Sequence, residues 1–92
     1  MPHEADRSDH PQDPGVAFEV ARDILSRLLG YASDQIRRET DRGTPDPATV
    51  EEWQRRREEW NARWHSLRVT DTAAVQAVLD RDGAILRSLP TD

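Results

Sequence analysis

The side chains able to do chemistry in this chain are few, and their spacing limits what that chemistry could be. Histidine occurs at positions 3, 10 and 65. His3 and His10 stand among Glu4, Asp6 and Asp9, a mixture of nitrogen and oxygen donors that a divalent metal accepts. They fall in the polar stretch Met1–Asp13, which carries Pro2 and Pro11 and almost nothing apolar. A disordered stretch lacks the scaffold that tight metal binding needs, so no metal site and no cofactor is expected. His65 would need an orienting carboxylate and a nucleophile to work as a catalytic base. There is no cysteine, no serine lies in a recognisable turn motif, and the glycines are isolated. Every basic residue is arginine. Without lysine, Schiff-base chemistry and the phosphate-loop ammonium are both excluded. The pairs Glu51/Glu52 and Glu58/Glu59 are adjacent residues, which diverge on a helix and cannot face each other as an acid–base couple. The expectation is a non-enzyme with no catalytic residue and no small-molecule substrate.

Binding chemistry is better represented. Arg55-Arg56-Arg57 makes a basic run, but Glu51-Glu52 precede it and Glu58-Glu59 follow it, so the local field nearly cancels. The net charge of −5 disfavours nucleic acid and anionic membrane as partners, because both rely on a positive field. Val50, Trp53, Arg57, Trp60, Trp64 and Leu67 recur at spacings of 3, 4, 3, 4 and 3. That is one narrow stripe on a helix. Its tryptophans have two uses, as the buried face of the helix or as anchors for another protein, since Trp and Arg are enriched at interface hot spots. Arg57 interrupts the stripe at its centre. It could lie over Trp53 and Trp60 in a cation–π contact. It could also pair with Asp82, which interrupts a second apolar repeat in the same way. Arg57 and Trp60 are therefore candidate partner contacts.

A further pair comes from a resemblance. Phe18-Glu19-Val20 is similar to a Phe-Glu-Ile stretch near the start of the first helix in the small antitoxins that neutralise toxin kinases of the zeta type. The short, acidic, helical character of the chain resembles that family too, although its tryptophan-rich second helix departs from the pattern. The resemblance implies a first helix lying over a partner's nucleotide pocket, with Phe18 and Glu19 as contacts.

The elements that must position these residues read as three helices. With 92 residues, 35% apolar and 34% charged, the chain has room for one domain with a thin core. Asp13-Pro14 opens the first helix, which runs to about Glu39. Its apolar residues, from Val16 through Leu25 and Leu28 to Ile36, occupy about half the helix circumference, wider than a single neighbour covers. Gly30 lies inside that pattern, either to permit close packing or merely tolerated. Gly43 offers a stop. Asp46-Pro47, or a Thr49-x-x-Glu52 capping box, opens the second helix. Its charged face has Glu51–Arg55, Glu52–Arg56 and Glu59–Arg63 in the favourable order. Thr70 or Asp71 caps the third, in which Val75, Leu79, Asp82, Leu86 and Leu89 recur at 4, 3, 4 and 3. Because the phase holds across Gly83, the spacing predicts one helix, kinked if anything, ending before Pro90.

The expected architecture is an all-α, antiparallel three-helix bundle over residues 14–92, with a disordered acidic tail at 1–13. The lack of cysteine fits a cytoplasmic location. No apolar run is long enough to span a membrane, and the N-terminus lacks the basic and apolar parts of a secretory signal. The function expected is a protein-binding module, most concretely a bacterial antitoxin or small regulator that occludes a partner protein's site. A structural subunit that binds its own copy is the alternative, and a DNA-binding regulator ranks below both.

Overall fold

The computed structural model describes residues 13–90 and is helical throughout, with no strand among the described residues. The expected tail lies outside them, apart from Asp13. Helix α1 spans Pro14–Thr40 and α2 spans Pro47–Ser66. A third helical stretch follows as α3 (Thr72–Ala77), a π-helical turn (Val78–Asp82) and α4 (Gly83–Ser88). None of these is long and apolar enough to cross a membrane.

Local chemistry explains each start. Asp13 Oδ1 accepts the Gly15 N–H at 2.9 Å and the Val16 N–H at 3.4 Å. Asp46 Oδ1 accepts the Ala48 N–H at 3.2 Å, and Thr49 donates its hydroxyl to Asp46 Oδ2 at 2.8 Å. Asp46-Pro47 is thus the opening of α2, and Thr49 serves that cap. Asp71 Oδ1 accepts the Ala74 N–H at 3.0 Å and caps α3. These carboxylates satisfy N–H groups that have no partner inside their helix. At the other end of α1, Arg37 and Arg38 occupy the last turn, where cations suit the helix dipole, and both pair with Asp34. The Thr40 hydroxyl closes the helix by donating to the Ile36 and Arg37 carbonyls at 3.0 Å each. After α4, Leu89 turns extended, with φ −74° and ψ 148°, as the residue before a proline must.

The third stretch keeps its helical sense across Gly83, which has φ −62° and ψ −39°. It is not, however, one regular α-helix. The Gly83 N–H reaches the Val78 carbonyl, five residues back, and this wide hydrogen bond defines the π turn. A Cβ at Gly83 would meet Arg87 Nη1 at 3.4 Å and Ile24 Cδ1 at 3.5 Å, ordinary contacts. No turn forms there.

The chain packs as two compact units. One combines α1 up to Ile24 with the segment from Leu67 onward, and the other is Leu25–Ser66. In the first, Ala21, Leu67, Val75 and Val78 are buried, together with Asp82. In the second, Leu25, Leu28, Ala32 and Trp60 are buried, together with Glu39. Gly30 has nothing within 4 Å of its would-be Cβ. It permits no close approach and is simply tolerated.

Candidate partner-binding surfaces

In the unit containing the start of α1, the wide apolar arc is only partly used. Ala21 is buried, whereas Val16 is 54% exposed and Val20 46%. The two valines are four residues apart and share a face. Val69, 40% exposed, belongs to the same unit. It lines a cleft of about 70 Å³ with Pro14, Ala17, Thr72, Val75 and Gln76. Valine loses favourable free energy for apolar area left in water, so three valines exposed in one small unit form the most evident binding feature there.

Phe18 and Glu19 lie in the same first turns. Phe18 is half-buried beneath the Arg22 guanidinium, which sits 5.5 Å from its ring centre. Glu19 is exposed, and at helical spacing it borders the Val16–Val20 face. Phe18 projects from a different side of α1, so its ring and the valines do not form one continuous face.

In the second unit the tryptophans divide. Trp60 is only 4% exposed, so it serves as core, and its ring is not an accessible anchor; the expectation of a Trp60 partner contact is corrected on that ground. Trp53 and Trp64 are half-buried. Trp53 meets Tyr31 edge to face at 5.6 Å. Trp64 Nε1 donates to Ser26 Oγ at 3.1 Å, and its ring meets His65 at 5.2 Å. His65 Nδ1 donates to the Asn61 carbonyl at 2.9 Å, an intrahelical contact.

At Trp53 the contact expected of Arg57 falls to its neighbour. The cation over Trp53 is Arg56, 5.2 Å from the ring centre. Arg57 instead donates from Nη1 to the Ser33 hydroxyl at 3.3 Å. Asp82 belongs to the other unit, where it is fully buried. Its carboxylate accepts from Arg81 Nε at 3.3 Å and Nη2 at 3.1 Å. Arg57 borders an open cavity of about 200 Å³ with Leu29, Glu58 and Asn61.

Of the pairs expected on the charged face of α2, Glu52–Arg56 forms, while Arg55 pairs with Glu52 and Glu59. Glu52 accepts from Arg55 at 2.6 Å and Arg56 at 3.2 Å, and Arg55 also reaches Glu59 at 2.9 Å. The Arg55 hydrogen bond holds the Glu52 carboxyl below its ordinary range, and the same bond raises the Arg55 guanidinium. Among the described residues no group of three or more His, Cys, Asp or Glu side chains could hold a metal ion.

Comparison with protein-family models, curated proteins and solved structures returns no match.

The feature sequence reasoning missed is Glu39. It is buried, and its carboxylate accepts the Asp46 N–H at 2.8 Å and Arg42 Nη1 at 3.0 Å. It thereby ties the end of α1 to the capping residue of α2. A glutamate before a Gly- and Pro-containing turn carries no local signal for this role. The exposed valines were foreshadowed, because an apolar arc wider than one neighbour covers leaves a margin in water.

Proposed function

We propose that this chain is a non-catalytic protein-binding module, most concretely a bacterial antitoxin or comparable small cytoplasmic regulator that occludes a site on a partner protein. The observation that carries the reading is the exposure of Val16 and Val20 on one face of α1, with Val69 exposed in the same unit. Apolar side chains left in water in this way favour a surface that excludes it. Glu19 beside them supplies a charge that would orient the encounter with a basic or phosphate-binding cleft. The three helical stretches are read as an antiparallel bundle that presents this face. Among the candidate contacts, Glu19 keeps its place beside the valines, Phe18 supports the same turns from their other side, and Arg57 belongs to a separate surface.

The test is site-specific photocrosslinking in the native cell, with a photoreactive phenylalanine analogue at Val16, Val20 or, as a control, the exposed Ala62. The expected result is an adduct with one other protein from positions 16 and 20 and none from 62. Adducts only with the chain's own copy would transfer the reading to a homo-oligomeric subunit. Adducts from all three sites alike, or from none, would sink the proposal.

A further inference from the structure

Arg57 and Glu58 stand out among the charges of α2. Arg55 and Arg56 are both neutralised by glutamates on their own helix. Arg57 is half-buried, yet among the described residues its guanidinium meets only the neutral Ser33 hydroxyl. A partly desolvated guanidinium normally sits on a carboxylate or phosphate, whose oxygens match its fork of donors. Glu58 is exposed, and among the described residues its carboxylate has no hydrogen bond or ion pair. The two side chains leave α2 about 100° apart. Both nevertheless line one open cavity with Leu29 and Asn61, and they do not pair with each other across it.

The cavity belongs to the groove between α1 and α2, inside one compact unit. Ser33 accepts from Arg57 at one end of it, and Ser26 accepts from Trp64 at the other. Leu29 stands between the two serines, and Asn61 between Arg57 and Trp64. The volume of about 200 Å³ is below the roughly 300–1,000 Å³ of pockets for drug-sized ligands, so the occupant is small. The charges narrow it further. Glu58 repels a lone anion, and Arg57 repels a lone cation. An apolar molecule would take water from both charges and return no hydrogen bond. A molecule with a carboxylate and an ammonium on one carbon answers both groups. Its carboxylate accepts from the guanidinium, and its ammonium donates to Glu58. The Asn61 amide serves either end, and Leu29 offers apolar contact to an aliphatic side chain. In a peptide the free ammonium and carboxylate lie at opposite ends, so the class that fits is a free amino acid.

We propose that the cavity bordered by Arg57 and Glu58 binds a small, free aliphatic α-amino acid, with Arg57 holding its carboxylate and Glu58 its ammonium. No bond is made or broken; the site binds and releases the molecule unchanged. The cavity is open, so both pairs stay near water and the affinity is in the millimolar range. The proposal does not rest on the valine face of α1, which lies in the other unit and stays available to another protein.

The experiment titrates the full chain with L-leucine and follows the backbone amides by NMR. Shift changes should saturate in the millimolar range and centre on Leu29, Arg57, Glu58 and Asn61. Isocaproate is leucine without its ammonium, and isoamylamine is leucine without its carboxylate. Each should bind about tenfold more weakly, the loss of one charge-assisted hydrogen bond. Glu58→Gln should weaken leucine by a similar factor while sparing isocaproate, so that the preference between them disappears. Arg57→Gln should weaken both. Leucine that produces no saturable shift overturns the proposal, as does isocaproate or isoamylamine binding as tightly as leucine. So does a Glu58→Gln chain that still prefers leucine, or a folded Arg57→Gln chain that binds it undiminished. If Arg57→Gln unfolds by circular dichroism, the three ligands and the exposed Glu58→Gln substitution decide alone. Crosslinks from Val16 and Val20 should be unchanged in Glu58→Gln, so the two readings can fail separately.

Discussion

Replacing Glu39 by alanine probes a tie that spans the turn between α1 and α2. The side chain is 10% exposed, and its carboxylate takes the Asp46 N–H at 2.8 Å and the Arg42 guanidinium at 3.0 Å. A hydrogen bond to an ionised acceptor contributes about 1.5–3 kcal/mol net. The Arg42 side chain is 61% exposed, so its pair with Glu39 adds at most about 1 kcal/mol. Together these give a cost of roughly 2–3 kcal/mol for Glu39→Ala, taking the backbone bond as the larger share. For a domain near this size, each kcal/mol moves the melting temperature by about 4–8 °C, so a fall of about 8–24 °C is expected. Glu39→Gln keeps an oxygen for the Asp46 N–H but loses the charge, and should cost about 1 kcal/mol. Arg42→Ala should cost less than about 1 kcal/mol. Thermal melts and urea titrations followed by helical circular dichroism measure all three. A Glu39→Ala protein melting within about 2 °C of wild type would falsify the argument, as would Arg42→Ala costing as much as Glu39→Ala.

Gly30→Ala should stabilise the protein by about 0.5–1 kcal/mol, because the position is helical and its added Cβ meets nothing within 4 Å; a lower urea midpoint would contradict that. Trp60→Ala empties a large buried site and should cost about 3–5 kcal/mol, enough to threaten the fold of so small a domain; unchanged melting would return Trp60 to the list of surface contacts. The Glu52 carboxyl, lowered mainly by the Arg55 hydrogen bond, should titrate below an ordinary glutamate in a pH series of carboxyl NMR spectra, and Arg55→Gln should move it back up. Since its folded-state value is depressed, its small stabilising effect is present above the unfolded value and is lost as pH falls through the folded one. An unshifted Glu52, or no response to Arg55→Gln, would count against the α2 network.

The sequence by itself determined the helices and narrowed each start to one or two capping residues. Asp13, Asp46 and Asp71 cap because a short carboxylate reaches N–H groups two or three residues ahead, and nothing distant enters that geometry. The apolar spacings of α1, α2 and the third stretch follow equally from the helical repeat, and the continuous phase through Gly83 foretold that no turn forms there. Tertiary structure decided what each face meets. The half-circumference apolar arc of α1 was legible, but only its neighbours leave Val16 and Val20 in water while Ala21 and Leu25 are buried. The Trp stripe was legible too, yet spacing alone places Trp53, Trp60 and Trp64 alike, and packing buries only one of them fully. Arg57 was visible as an intrusion, whereas its Ser33 partner lies 24 residues away, beyond any local rule. The Glu39–Asp46 bond, across the turn between α1 and α2, likewise carries no local signal. Burial and distant hydrogen bonds are set by which side chains the folded chain brings close, and a helix's own periodicity cannot say what stands opposite it.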